Sequence, residues 1–344
     1  MDNVIAAKRL KEILSKFPST IKTIRIDSGY IFFYDKVEDL LYFSIFPLEE
    51  ISFSVDFKLF QKMLDTFSVD AKITFTEQTG KIVISDNDST EITLDATSQD
   101  SEYLNIISLI RAEGPDKAVK NPEELSEAVV KASSVCKTDH LSGILSCICI
   151  TESGEVIATD NVRILKIDTE ESLPQKITLS GKTAALIFKN RKIFKIKLRD
   201  DWAAFYDKEN KIYFCCLMPT FTKYPNSKIT AFIKEAENKS PARYLEINEE
   251  VRDAIKKLGT ISEGKSHFSK IATVSIQKNK VVLFTTTTGG TYKKEVKCKN
   301  EVEMTMTLQP TLFQGKDSFL KFKIIENALF YKSDKISYVI ATGE

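Results

Sequence analysis

The chain alternates between two spacings of apolar residues, one typical of helices and one typical of strands. Apolar residues three or four positions apart predict amphipathic helices over Asn3–Phe17 and Phe57–Phe67. Shorter β-branched and aromatic runs predict strands, among them Lys72–Glu77, Lys81–Ser85 and Glu91–Asp95. The order helix, strands, helix, strands is therefore complete once in this first part of the chain.

This order of elements restarts twice. Asn121 is a predicted helix cap followed by Pro122 at the first helical position, and Asn248 opens a helix with an acidic first turn. Polar segments separate the units at Gly114–Lys120 and Lys234–Pro241. An internal repeat of roughly 120 residues indicates repeated domains, so we predict an α+β protein of three domains. The predicted domains span residues 1–118, 119–238 and 239–344.

The most informative stretch is an interrupted strand in the middle unit. Leu145–Thr151 and Val156–Ile167 predict two strands joined by a turn, and Thr159-Asp160-Asn161 breaks the second strand. Such side chains bond to their own backbone, and Asn tolerates a positive φ. On the local pattern alone, the break indicates a β-bulge followed by a surface arginine, Arg163.

Composition narrows the function classes without selecting one. The 344 residues are 42% hydrophobic and 28% charged, with a net charge of +1, so bulk charge favours neither nucleic acid nor membrane. We see no membrane-length apolar run and no signal peptide pattern, and therefore expect a cytoplasmic protein without membrane contact. The six cysteines form no C-x-x-C pair, and no catalytic or phosphate-binding motif occurs. We expect reduced thiols, no metal or cofactor, and no enzymatic activity.

A family resemblance gives the interrupted strand a second interpretation. Leu141-Ser142-Gly143 followed by Ala158–Leu165 resembles the middle domain of the bacterial replicative sliding clamp, the DNA polymerase III β subunit. That family has Gly and His where this chain has Asn161 and Val162, so the resemblance implies a divergent member, of chromosomal or phage origin. The order and spacing of the other elements are compatible over essentially the whole length.

The resemblance implies an architecture and a set of partners. The helices of the repeated clamp domains would line a central hole, and antiparallel sheets would form the outer wall. Two copies would close head to tail into a ring that encircles duplex DNA, and a clamp loader and a DNA polymerase would bind it. The protein would then be a non-catalytic processivity factor of DNA replication.

The resemblance also implies three groups of site residues. The cleft for a partner peptide would use Leu141, Thr159, Asp160, Asn161, Val162, Arg163, Ile164, Leu165, Pro225, Val339, Ile340, Ala341 and Thr342. Basic residues on the inner helices and loops would face DNA, namely Lys8, Lys11, Lys22, Lys58, Lys62, Lys131, Lys137, His140, Lys182, Lys189, Lys256, Lys265, His267 and Lys270. The interface between the two copies would include Ile92, Leu94 and Ile261.

The residues leave other functions open. A trimeric clamp of the archaeal and eukaryotic type is one alternative, although such chains have two domains rather than three. A three-domain structural or interaction protein without a DNA role would show the same repeat, and a hydrolase with an unrecognised site is a further alternative. The polar tail Ala341–Glu344 also predicts a shallower peptide cleft than the family pattern has.

Overall fold

A computed structural model describes most of the chain and divides it into two compact units. The described residues are 4–18, 21–36, 40–87, 90–97, 102–112, 117–137, 140–199, 202–218, 224–239, 243–261, 272–287, 290–300, 302–308 and 321–342. Unit 1 comprises Met1–Val130, Leu173–Ile177 and Lys182–Thr220. Unit 2 comprises Lys131–Ser172, Thr178–Gly181 and Phe221–Glu344.

The described residues form seven α-helices and twenty-four strands. The helices are α1 Ala7–Leu14, α2 Phe57–Leu64, α3 Glu102–Ala112, α4 Pro122–Ser133, α5 Gly181–Phe188, α6 Asn226–Asn238 and α7 Glu249–Ile261, with a 3₁₀ segment at His140–Ser146. The first twelve strands are β1 Val4–Ala6, β2 Thr23–Asp27, β3 Tyr30–Asp35, β4 Leu40–Ile45, β5 Ser52–Asp56, β6 Lys72–Gln78, β7 Lys81–Ser85, β8 Glu91–Asp95, β9 Lys117–Ala118, β10 Cys147–Ile150, β11 Glu155–Thr159 and β12 Arg163–Asp168. The others are β13 Ile177–Ser180, β14 Ile193–Leu198, β15 Trp202–Asp207, β16 Ile212–Leu217, β17 Arg243–Glu246, β18 Ala272–Gln277, β19 Lys280–Thr287, β20 Gly290–Lys297, β21 Met304–Leu308, β22 Lys321–Ile325, β23 Ala328–Lys332 and β24 Ile336–Ala341.

Each unit contains one eight-stranded and one four-stranded antiparallel sheet. In unit 1 the strand orders are β5-β2-β3-β4-β16-β15-β14-β9 and β1-β6-β7-β8. In unit 2 they are β13-β10-β11-β12-β24-β23-β22-β17 and β20-β19-β18-β21. Each eight-stranded sheet is thus two four-stranded sets joined in the middle, by the β4–β16 pair in unit 1 and the β12–β24 pair in unit 2.

The strand pairing repeats three times along the chain. In the first repeat, β1 leads into α1 and the three-stranded meander β2-β3-β4, while β5 leads into α2 and the meander β6-β7-β8. The two lead strands are exchanged, because β1 pairs with β6 and β5 pairs with β2. The same exchange occurs in strands β9 to β16 and again in β17 to β24. The antiparallel α+β repeat expected from the sequence is therefore present in the fold.

Local sequence predicts several elements correctly because side chains fix their ends. Asp56 caps α2 by accepting a hydrogen bond from the Leu59 N–H at 2.7 Å, and Asn121 caps α4 by accepting one from the Glu124 N–H at 3.2 Å. Phe57, Phe60 and Leu64 form the buried face of α2. The sequence also predicts a short helical turn at residues 310–314, which lie outside the described residues.

Four sequence predictions are corrected by the fold. Val4–Ala6 is not helical, because it pairs as β1 with β6, and this tertiary pairing overrides the helical spacing of its apolar residues. Helix α6 overlaps Lys234–Pro241, which we expected to be connecting chain, and α3 occupies a segment for which we predicted no element. The break at Thr159–Asn161 is a hairpin turn between two strands rather than a β-bulge within one.

Candidate partner-binding cleft

The hairpin turn between β11 and β12 is held by its own polar side chains. The Asp160 carboxylate accepts hydrogen bonds from the backbone N–H groups of Val162 at 3.0 Å and Arg163 at 2.9 Å. The Thr159 hydroxyl donates to the Arg163 carbonyl at 2.9 Å, and Asn161 has a φ of 75°. Because Asp160 replaces the missing backbone pairing, the turn is rigid and presents Val162 at its tip.

Arg163 fixes this hairpin to the end of helix α4. Its Nε lies 3.0 Å from the Asp160 carboxylate, and its Nη2 donates to the Ser134 carbonyl at 2.9 Å. Ser134 directly follows the last residue of α4, so the guanidinium satisfies a carbonyl at the helix end. The guanidinium of Arg163 is therefore engaged inside the protein and serves a positioning role.

A cleft of about 450 Å³ opens beside this hairpin, entirely within unit 2. Three elements form most of its wall: the hairpin, helix α6 and the last strand, β24. The residues around it are Ile144, Leu145, Thr159, Asn161, Val162, Arg163, Ile164, Pro225, Lys228, Ile229, Phe232, Asn327, Ala328, Val339 and Ala341. Most of these side chains are apolar, and none is acidic, so the cleft suits an apolar segment that carries few or no cations.

Helix α6 is seated on the sheet by a buried apolar face. Ile229, Ile233 and Ala236 pack in one cluster with Cys147, Cys149, Ile157, Phe330 and Val339. At the start of the helix, the buried Tyr224 hydroxyl donates to the Ile157 carbonyl at 3.3 Å, and burial raises the pKa of Tyr224. At its end, the Lys323 ammonium donates to the Ala236 and Glu237 carbonyls at 3.0 and 2.7 Å. The helix is thus fixed at both ends and forms a firm wall.

The 3₁₀ segment supplies the remaining wall through a glycine. Gly143 has φ 54° and ψ −124°, a backbone conformation that non-glycine residues rarely adopt. Its carbonyl accepts a hydrogen bond from the Ser146 hydroxyl at 2.7 Å. Ile144 and Leu145 follow this kink and line the cleft. The predicted Leu-x-Gly feature therefore leads into the wall without lining it, and the side chain of Leu141 lies outside what the structure describes.

The structure separates the predicted cleft residues into three groups. Eight of them border the cleft: Thr159, Asn161, Val162, Arg163, Ile164, Pro225, Val339 and Ala341. Leu165 and Ile340 do not, because alternate strand residues face opposite sides of a sheet and these two are buried on the other side. Asp160 is buried beneath the turn, and Thr342 follows the last lining residue.

Sequence reasoning missed the contributions of α6, the 3₁₀ segment and the β22–β23 turn. The missed lining residues are Ile144, Leu145, Lys228, Ile229, Phe232, Asn327 and Ala328. A helical signal was available in Ile229, Ile233 and Ala236, which are spaced by four and three positions. The contribution of Asn327 and Ala328 depends on the pairing of β23 with β24, which has no local signal.

The predicted DNA-facing residues occupy helices and loops of both units. Exposed members are Lys8, Lys22, Lys58, Lys62, Lys182 and Lys189, and half-buried members are Lys11, Lys131, Lys137 and Lys256. The Lys11 ammonium lies 3.5 Å from the Asp65 carboxylate. Lys265, His267 and Lys270 lie outside the described residues, as does the side chain of His140. Their role in binding DNA stays a prediction.

The predicted interface residues differ in accessibility. Strand β8 is the edge of its sheet, and Ile92 is half-buried there. Leu94 is 3% exposed because it faces the core of its own sheet, opposite Ile82, so it is not available for direct contact with another chain. Ile261 is the last residue of α7, and its side chain lies outside the described part.

Three further features concern the thiols, the possible metal ligands and the helices. None of the six cysteines forms a disulfide, and burial raises the pKa of Cys136 to about 12, so this thiol stays protonated at neutral pH. Within the described residues, no three His, Cys, Asp or Glu side chains are grouped to hold a metal ion. No helix in the same residues has the length and apolar character needed to cross a membrane.

Solved structures identify the class of fold. The chain is similar to the Bartonella birtlesii sliding clamp bound to griselimycin, with a TM-score of 0.75 and 12% identity over 100% of this chain and 99% of that chain. The Pseudomonas aeruginosa DNA polymerase III subunit beta gives a TM-score of 0.75 at 10% identity over 100% of both chains. This protein therefore has the fold of the bacterial sliding clamps.

A third structure shows a relative with a partner peptide. The Helicobacter pylori beta clamp bound to a DNA ligase peptide gives a TM-score of 0.69 at 15% identity over 100% of both chains. No protein-family model matches the sequence, and neither does any curated protein. The resemblance inferred from a short motif is thus confirmed at the level of the fold, between chains that share few residues.

Proposed function

We propose that this protein is a DNA sliding clamp. Two copies close head to tail into a ring around duplex DNA, and the cleft of unit 2 holds a peptide of the polymerase or another replication protein. The protein contributes no chemistry and acts by tethering its partners to DNA. The observation that carries this proposal is the pairing of terminal strands within each unit, which leaves two terminal strands at sheet edges.

Strand topology supports closure by a second copy. Each meander ends in a strand at the outside of its set, and four of these six terminal strands pair with each other as β4–β16 and β12–β24. The two others, β8 and β20, are edges of the four-stranded sheets. Pairing of β8 in one copy with β20 in the next would repeat the internal joints, and two such joints close a ring.

Charge on the two edges is complementary. Strand β8 carries Glu91 and Asp95, and β20 carries Lys293, Lys294 and Lys297 with a single acid, Glu295. Two β8 strands would repel each other, as would two β20 strands, so charge favours the head-to-tail arrangement. The third-domain contribution to this interface is then β20 rather than the region of Ile261.

The helices supply the surface that we propose for DNA. A sliding contact must attract phosphates without reading bases, and lysines on helix surfaces meet this requirement through non-directional attraction. With a net charge of +1, the chain has no general affinity for DNA, so retention would depend on encirclement. DNA binding should accordingly be weak on linear molecules and persistent on circles.

The cleft is the site that we propose for partner proteins. It combines apolar walls with a firm helix and a rigid hairpin, which suit an extended peptide with a few apolar anchors. Binding of a DNA ligase peptide by the Helicobacter pylori clamp supports this assignment by analogy. The polymerase and the loader belong to the same proposal.

Light scattering combined with low-resolution imaging of the full chain tests the proposal. We expect a mass of two chains and a ring with a central hole. An elongated single chain, or a dimer without a hole, would contradict it. Retention on nicked circular DNA, with release after the circle is cut, would test encirclement separately.

A further inference from the structure

The exposed edge of helix α6 has a chemistry that the rest of the cleft lacks. Lys228 and Phe232 lie one turn apart on this helix, and both border the cleft. Lys228 is exposed, and Phe232 keeps 40% of its surface exposed. This edge therefore joins a cation to an unusually open aromatic ring at the mouth of an apolar cleft.

Lys228 is the cation that remains available to a ligand. The cleft is bordered by two cations, and Arg163 is engaged by Asp160 and the Ser134 carbonyl. Within the described residues, no carboxylate lies within ion-pair distance of Lys228, and no lining side chain is acidic. By contrast, Lys166 and Lys332, which do not border the cleft, form ion pairs. An unneutralised ammonium beside an apolar wall is complementary to a carboxylate.

Phe232 extends the apolar wall beyond Lys228. A large aromatic side chain that stays exposed beside a cleft leaves apolar surface for a partner to cover. Ile229 and Ile164 continue this surface into the cleft. A peptide that passes Lys228 would therefore find apolar contacts on both sides of its acidic group.

We propose that the occupant of the cleft is an extended peptide with a carboxylate next to its apolar anchors, bound by Lys228, and a further apolar side chain against Phe232. This inference rests on the proposed function, because it names the kind of peptide that the same site takes. The carboxylate is an Asp or Glu side chain, because apolar surface lies on both sides of Lys228 and the peptide therefore continues past it.

Fluorescence anisotropy with labelled synthetic peptides tests the inference. The probes are amidated peptides of the Gln-x-x-Leu-Phe type with Asp or Asn at either x position, and an Asn peptide with a free carboxyl end. We expect at least one of the amidated Asp peptides to bind the full chain roughly fivefold more tightly than its Asn counterpart. A gain in affinity only for the peptide with a free carboxyl end would assign the carboxylate to a chain end and overturn the inference.

Two variants on the same helix provide the control. Lys228→Gln should abolish the preference for the carboxylate, whereas Lys234→Gln, which changes an exposed lysine outside the cleft, should preserve it. Phe232→Ala should weaken every peptide roughly threefold, and Phe232→Leu should retain most of the affinity. Equal binding of acidic and neutral peptides, or equal loss in both lysine variants, would overturn the inference and leave the cleft assignment intact. Failure of all peptides to bind the unmodified chain would overturn the cleft assignment as well.

Discussion

The two eight-stranded sheets can be compared on the face that a helix covers. The elements on this face are arranged in the same way in both units, but the side chains at each end of the face differ in chemistry between the units. In unit 1 the face is covered by α3, whose Ile107 and Ile110 pack on Phe32, Leu41 and Phe43. In unit 2 the corresponding face is covered by α6. The comparison separates what the repeat dictates from what individual side chains decide.

The strand registers make the two faces equivalent residue by residue. Leu41 pairs with Cys215 across the joint of unit 1, as Ile164 pairs with Val339 across that of unit 2. Two strands further from the joint, Lys197 in unit 1 occupies the position that Lys323 occupies in unit 2. Lys197 donates to the Ile110 carbonyl at the end of α3, as Lys323 does to the last carbonyls of α6. The repeat therefore preserves even the lysine that holds the covering helix.

The cleft of unit 2 is bordered by small residues at positions where unit 1 has rings. Ala328 and Thr159 border the cleft in unit 2, and their counterparts in unit 1 are Trp202 and Tyr34. Tyr34 stacks on Tyr103 of α3 with ring centroids 4.5 Å apart. All three rings pack against the same cluster in unit 1, so side-chain volume contributes to the difference between the two faces.

The opposite ends of the two faces show the reverse chemistry. In unit 1, Phe43 stacks on Tyr213 with centroids 4.8 Å apart, and Tyr206 stacks on the same Tyr213. In unit 2 the counterparts of Phe43 and Tyr206 are Lys166 and Lys332, and Lys166 forms ion pairs with Glu155 at 2.6 Å and Asp168 at 3.2 Å. One fold thus accommodates either an aromatic cluster or ion-paired lysines at this position.

The largest expected effect comes from loosening the covering helices. Ile233→Ala in α6 and Ile107→Ala in α3 each remove a buried side chain, and each should lower the free energy of unfolding by about 2–5 kcal/mol. Chemical denaturation measures this loss. Only Ile233→Ala should also weaken peptide binding, because only α6 forms a cleft wall. A similar loss of peptide affinity in Ile107→Ala would show that the two faces are not functionally distinct.

Filling the cleft with the residue found in unit 1 should abolish its function. Ala328→Trp places in unit 2 the ring that Trp202 supplies in unit 1, and we expect peptide affinity to fall more than tenfold, a loss of over about 1.4 kcal/mol. Anisotropy titration measures it, with circular dichroism to confirm folding. Ala328→Ser, a small replacement at the same place, is the control and should bind normally. Unchanged affinity in Ala328→Trp would move the peptide site elsewhere.

The smallest of these effects concerns the lysines that cap the covering helices. Lys323→Met removes two hydrogen bonds to helix-end carbonyls and should lower the free energy of unfolding by about 1–3 kcal/mol. Lys197→Met removes the bond to the Ile110 carbonyl and should lower the free energy of unfolding by a comparable amount. Thermal unfolding measures both losses. A loss in only one of the two variants would contradict the equivalence of the two caps.

The sequence predicted the repeat well because caps, turns and apolar spacing are local signals. The limits of β7 and β8 match the predicted runs Lys81–Ser85 and Glu91–Asp95. Helix α3 had its own signal in Tyr103, Ile107 and Ile110, which share one helical face. This segment received no prediction, because it lies between two polar segments and outside the repeated order of elements.

Other features depended on contacts distant in sequence. The β1 segment is helical by spacing and becomes a strand only because β6 offers it a pairing edge. The motif around Thr159 located one wall of the cleft, whereas the opposite wall requires α6 to pack on β10 and β23. The inward direction of Leu165 and Ile340 likewise follows from strand register, which the isolated segments do not define.

The internal joints also fix the register that the proposed ring should have. In both joints, the penultimate residue of one strand pairs with the first residue of the other strand. These pairs are Ser44 of β4 with Ile212 of β16, and Ile167 of β12 with Ile336 of β24. Applied to β20 and β8, this rule sets Val296 opposite Glu91 and therefore Lys294 opposite Thr93. Residues directly opposite in antiparallel strands are close enough for a disulfide.

Oxidative cross-linking of the double variant Thr93→Cys, Lys294→Cys tests the ring most directly. Because each chain carries both halves of the pair, a closed ring of two copies should give one covalent product of two-chain mass on a denaturing gel. Neither single variant should cross-link efficiently. A ladder of three or more chains, or chains that remain unlinked, would contradict the proposed head-to-tail dimer.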